Sequence, residues 1–212
     1  MRSGKDLLNK PIYSIDEGKL LGKAQDLYLN DGLDAVLGVF IGSQGLIRRK
    51  SELIRSGEVV VFGLDAILVN SSKVITDDTT FPAARGWIRR EKIVGREVDT
   101  PGGTRLGVVG DVIVDSAGAI TGFSLSRVFV EGPLADKRLI DRSVLIDTGS
   151  DDNSMTVDLP RLEASLSGTI VLPVSEEQQA KETSAPDEPE TLNLIIEEEP
   201  ESSEAGEGLD DG

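Results

Sequence analysis

Apolar residues along this chain come in short runs separated by Gly, Asp and Asn. Ile12-Tyr13-Ser14-Ile15 predicts a strand, and Asp16-Glu17-Gly18-Lys19 the turn after it. Gly22 to Leu29 predicts the next strand, closed by Asn30-Asp31-Gly32, a hairpin signal between apolar runs. Ala35 to Ile41 forms a third run. Ile47 to Ile54 is mixed and contains Arg48-Arg49-Lys50, Val59 to Phe62 is continuously apolar, and Ile67-Leu68-Val69 follows the turn at Gly63 to Ala66. Five or six short strands at this spacing predict a small β-barrel. The only helical candidates, Ala83–Lys92 and Pro160–Ser167, are short.

The pattern then repeats. Leu21, Gly22 and Asp26 recur as Leu106, Gly107 and Asp111 at a constant offset of 85. Leu7, Leu8 and Ile12 recur as Ile93, Val94 and Val98, and Leu53-Ile54 as Leu139-Ile140, at 86. Gly38 matches Gly122 at 84, and Ile67-x-Val69 matches Met155-x-Val157 at 88. A drift of a few residues is what turn insertions produce. A period this long points to duplication of a whole domain, because solenoid repeats run to about 20–50 residues.

The expected organisation is a first barrel over 1–76, a connection at 77–90, a second barrel over 91–174 and a tail over 175–212. The connection is polar and broken by Pro82 and Gly86. It carries Phe81 and Trp87, the only Trp, read as packing in the seam between the barrels or as an exposed partner-binding anchor. The second copy departs from the first near its end, where Ser167–Leu172 reads as a last strand.

Charge separates the tail from the rest. The formal net charge is −16, and residues 175–212 hold 14 acidic side chains against one Lys, leaving the first 174 residues near neutral. High charge with little apolar content predicts a disordered tail. Its one apolar island, Leu192-Asn193-Leu194-Ile195-Ile196, runs into Glu197-Glu198-Glu199. The tail reads as a solvating segment, or the island as a short strand that adds to a partner's sheet edge.

Composition limits the chemistry. With no Cys there is no disulfide or thiolate, and with no His the commonest general base and metal ligand is missing. No constellation of the remaining groups suggests an enzyme, and no cofactor or metal is expected. The Gly103–Gly110 stretch lacks the ending of a phosphate loop and reads as strand and turn glycine. Asp147–Asp158 has the acidity of a calcium loop, but Asp152 stands where Gly is required. The repeated Asp26 and Asp111 read as structural acids bonding to nearby backbone. Arg48-Arg49-Lys50, the Arg85–Arg96 group and Lys137–Arg142 read as a solvated face, with an anionic partner or the chain's own tail as alternatives. Direct nucleic-acid binding is not expected of a near-neutral, aromatic-poor body. No apolar run approaches the ~20 residues of a membrane helix. Met1–Asp6 is followed by no apolar stretch, so a cytoplasmic location is expected.

Leu7-Leu8-Asn9-Lys10-Pro11-Ile12, Leu21-Gly22 with Asp26, and Phe62 to Val69 resemble the PRC-barrel domain, as do Leu106-Gly107, Asp111 and Gly149 to Val157. That domain is shared by the cytoplasmic part of the photosynthetic reaction-centre H subunit and the C-terminal half of the ribosome maturation factor RimM. The resemblance implies an all-β protein of two tandem small barrels with an acidic tail, acting as a non-enzymatic interaction or assembly module. A ribosome-assembly role and a place beside a membrane electron-transfer complex are the alternatives. Candidate partner-binding residues are Arg48, Arg49, Lys50, Trp87, Arg89, Arg90, Leu192, Leu194, Ile195 and Ile196, with a protein partner of unknown identity.

Overall fold

The apolar alternation is realised as sixteen short strands in a computed structural model that describes residues 1–45, 50–149 and 153–167. The first copy runs through β1 (Arg2–Ser3), β2 (Pro11–Ser14), β3 (Leu20–Lys23), β4 (Asp26–Leu29), β5 (Val36–Gln44), β6 (Lys50–Arg55), β7 (Val59–Phe62), β8 (Ile67–Val69) and β9 (Ile75–Asp77). The second runs through β10 (Ile88–Arg89), β11 (Glu97–Asp99), β12 (Arg105–Val114), β13 (Ile120–Val128), β14 (Leu139–Asp141), β15 (Leu145–Asp147) and β16 (Ser154–Val157). Two short helices, α1 (Pro133–Lys137) and α2 (Leu159–Ser167), complete it. The protein is all-β, as the turn-punctuated pattern requires.

Both copies use one pairing order. β2 pairs antiparallel with β3 and parallel with β8, and β11 does the same with β12 and β16. β4–β5–β6 is matched by β12–β13–β14, and β7–β8 by β15–β16. A single 3-10 turn joins β6 to β7 at Ser56–Glu58 and β14 to β15 at Arg142–Val144. That tight connection folds the sheet back on itself as a curled half-barrel.

The copies differ at the corner. The expected strand from Gly22 to Leu29 is interrupted at Ala24-Gln25, where Ala24 N donates to Lys10 O and Gln25 N to Phe40 O. The chain there leaves the β3-β2-β8-β7 sheet and enters the β10-β4-β5-β6-β9 sheet. In the second copy β12 passes the same point unbroken and serves both sheets. The expected helix at Pro160–Ser167 is present as part of α2. Ala83–Lys92 is instead a 3-10 turn, strand β10 and a second 3-10 turn, because β10 is drawn into the first copy's sheet. Of the expected strand Ser167–Leu172, Ser167 ends α2 and the rest lies outside the described residues.

The copies interlock reciprocally. β1, at the start of the first copy, pairs with β12 of the second, and β10, at the start of the second, pairs with β4 of the first. The two hairpin tips also meet: Val36 N donates to Gly118 O, Ile120 N to Asp34 O, and Ala35 bridges Ala119. These exchanges are related by a pseudo-twofold axis. One apolar core therefore runs through both copies, from Leu7, Ile12 and Leu27 to Val112, Phe123 and Leu162.

Candidate functional site

The repeated acids sit where the copies interlock. Asp26 on β4 accepts from Arg89 Nε at 2.9 Å and from Glu91 N at 3.4 Å. Asp111 on β12 accepts from Lys5 N at 2.7 Å, from the Ser3 hydroxyl, and from Arg90 Nε at 2.5 Å. Each acid thus caps the first residues of the opposite copy. Their role is structural, as the sequence suggested; Asp111 does bind nearby backbone, accepting from Val112 N at 2.9 Å, but both acids also bind backbone far away in sequence, 65 residues for Asp26 and 106 for Asp111.

Arg90 has no twin. The residue at its position in the first copy is Gly4, where a Cβ would lie 2.7 Å from Val112 Cγ2 and 3.1 Å from Arg90 Cδ. The axis has room for one side chain, and Arg90 fills it. Asp26 Oδ1 consequently stays buried without a hydrogen-bond partner. Arg90 and Arg96 are 8% and 6% exposed. For these two the reading of the Arg85–Arg96 group as a solvated face is corrected, Arg96 being turned in to the Lys92 and Thr148 carbonyls, whereas Arg85 and Lys92 are exposed.

The other proposed binding residues are dispersed. Arg89 lies over the Phe40 ring at 3.7 Å as well as against Asp26. Trp87 is half-buried, edge-on to Tyr28 at 5.7 Å and to Phe81 at 5.4 Å. With Phe40, Leu53 and Ala84 these rings form a small cluster on β4, β5 and β6. The Phe81–Trp87 pair therefore packs on the first copy's own sheet, separately from the core the copies share, and not in a seam between barrels. Lys50 is exposed and 3.6 Å from Asp77. Arg48, Arg49, Leu192, Leu194, Ile195 and Ile196 lie outside the described residues. Gly107 packs so closely on the Arg127 carbonyl that no Cβ would fit, which accounts for glycine there by strand packing.

A surface that the sequence reading missed lies on the β3-β2-β8-β7 sheet. Register places Leu20 beside Tyr13, Tyr13 beside Leu68, and Leu68 beside Val61. The four side chains make one apolar row across the sheet on its solvent side, with Leu20, Tyr13 and Val61 exposed by 49%, 39% and 45%. Ile15, Val60 and Leu64 are exposed around it. The same register in the second copy gives Arg105, Asp99, Thr156 and Asp147. That row is polar and hydrogen-bonded: Thr156 Oγ1 donates to Asp99 at 3.0 Å, and Ser154 Oγ at 2.7 Å. The same pairing order accommodates polar residues at every one of these positions in the second copy. The offset that aligns Ile12 with Val98 already sets Tyr13 against Asp99, and a position-by-position comparison of the copies was the available signal.

Residues 1–75, the first copy, match the family model of the PRC-barrel domain. No curated protein matches the chain in sequence. Domains of this type suggest an interaction or assembly module. Among the described residues no cluster of acidic side chains could hold a metal ion, and no helix is long and apolar enough to cross a membrane.

Proposed function

We propose that the chain is a tandem pair of PRC-barrel domains serving as a non-enzymatic, cytoplasmic protein-interaction module. Its docking face is the apolar row Leu20-Tyr13-Leu68-Val61. The carrying observation is the contrast between this row and the polar one at the same register in the second copy. Contiguous exposed apolar surface ringed by polar residues marks interaction sites. Side chains that the second copy replaces with polar ones, and that water disfavours, are retained for a partner.

The test is capture of partners from extract by the full chain and by a variant carrying the second copy's residues, Tyr13→Asp, Leu68→Thr and Val61→Asp. A partner held by the parent and lost by the variant, at unchanged circular dichroism, is the expected outcome. Equal capture by both would remove the row from the function. The captured proteins also separate the narrower readings, because a ribosome-assembly role predicts ribosomal particles and an electron-transfer role predicts a membrane complex.

A further inference from the structure

In the first copy the outer edge of β6 is covered. β9 pairs with it antiparallel and sets Asp77 beside Glu52, Thr76 beside Leu53 and Ile75 beside Ile54. Phe81 and Trp87 follow in the chain and pack with Leu53, which is fully buried. In the second copy the chain after β16 enters α2 instead, and β14 ends its sheet with β13 as its only strand neighbour among the described residues. Leu139, at the place of Leu53, is exposed. Its backbone is open as well. Leu125 N donates to the Arg138 carbonyl, and successive residues of an antiparallel strand bond to alternate sides. Arg138 and Ile140 therefore bond towards β13, and Leu139 turns its N–H and C=O to the open side. An open edge of this kind is a template for another strand.

We propose that the β14 edge binds an extended acidic segment of another protein, added as an antiparallel strand in the place that β9 takes on β6. Charge sets the chemistry of the segment. On β6 the pair Glu52–Asp77 brings two acids together, offset by Lys50 at 3.6 Å from Asp77. Next to it Ser51 N donates to Asp78 Oδ1 at 3.1 Å. On the second copy Arg138 stands where β6 has Glu52, and Lys137 where it has Ser51. Both cations are exposed, and neither forms a salt bridge among the described residues. Lys137 Nζ donates to the Leu166 carbonyl, a neutral partner. The nearest acid of the strand, Asp141, is committed to Ser143. A strand with acids at the positions of Asp77 and Asp78 thus meets two cations at β14. A second copy's β14 brings the same Lys137 and Arg138 and is repelled. An aromatic side chain just beyond the acids covers Leu139 as Phe81 covers Leu53.

The probe is a capped synthetic peptide copying residues 75–81, Ile-Thr-Asp-Asp-Thr-Thr-Phe, titrated into the isotope-labelled full-length protein. Amide shifts centred on Leu139 and slowed hydrogen exchange at its N–H are expected. A peptide with Lys for both Asp should bind about tenfold more weakly, and Arg138→Glu should reverse that preference with the spectrum unchanged elsewhere. No shift at β14 with millimolar peptide would overturn the proposal, as would equal binding of the acidic and basic peptides. A Leu139 N–H already protected in the free protein would show that the chain itself fills the edge. Protection that grows with protein concentration would assign the edge to a second copy. Either result overturns the proposal. None of them bears on the apolar row, which lies on the other copy and is judged by its own variant.

Discussion

The two copies fold by one pairing order and spend their surfaces differently. In the first, the row across β3-β2-β8-β7 is apolar and the outer side of β4-β5-β6 carries Tyr28, Phe40, Leu53, Phe81 and Trp87. In the second, the matching row is polar, and Leu139, the twin of Leu53, is 41% exposed. At the axis the bias reverses: Asp111 is fully engaged by Arg90, Ser3 and Lys5, whereas Asp26 keeps an orphaned oxygen. The shared pairing order makes the two copies equivalent scaffolds. One carries the best-satisfied polar joint, and the other exposes apolar surface.

Five variants would sharpen or break that contrast. The largest effect is expected from Asp111→Ala, which strands the buried Arg90 charge and should cost about 3–5 kcal/mol in urea unfolding. Asp26→Ala leaves Arg89 partly in water and over Phe40, so about 1–2 kcal/mol is expected. Equal losses would show that the joint is symmetric after all. Trp87→Ala comes next, at about 2–3 kcal/mol, because a half-buried ring leaves Tyr28 and Phe81 without their edge-on partner.

The row exchange Tyr13→Asp, Leu68→Thr and Val61→Asp should change stability by under about 1 kcal/mol, since exposed positions away from the core tolerate substitution. A severe loss would mean that the first copy needs its apolar row to fold. The smallest effect concerns Asp77. The Thr80 N–H, followed by that of Thr79, holds its carboxyl below the ordinary carboxylate range. A carboxyl with a depressed folded pKa contributes stability above its unfolded value, near ~3.9, and loses it as pH falls through the lower folded value. Asp77→Asn should flatten the acid limb of a stability–pH curve below about pH 4 and change nothing at neutral pH.

Much of this was legible in the chain. The offset of 85, the turn signals and the apolar runs locate the strands, because each depends on neighbours in sequence. What depends on partners across space was not. Asp26 and Asp111 could be recognised as paired features, but not that each binds the other copy. Arg90 looked like one cation of a surface group, and only the exchanged strands bury it. The apolar row is invisible strand by strand, as Tyr13, Leu20, Val61 and Leu68 lie in four separate short segments and become neighbours only once register is known.

The exchange of first strands also sets a schedule for synthesis. Ser3 finds its acceptor on Asp111, 108 residues later. At about 5–20 residues per second, that is roughly 5–20 s of translation during which the first copy waits with its opening strand unpaired. Contacts this distant in sequence close late and slow folding. The nascent chain is thus held open until the second half arrives, and a ribosome stalled between the copies would release a sheet lacking β10 and an opening strand lacking its place on β12.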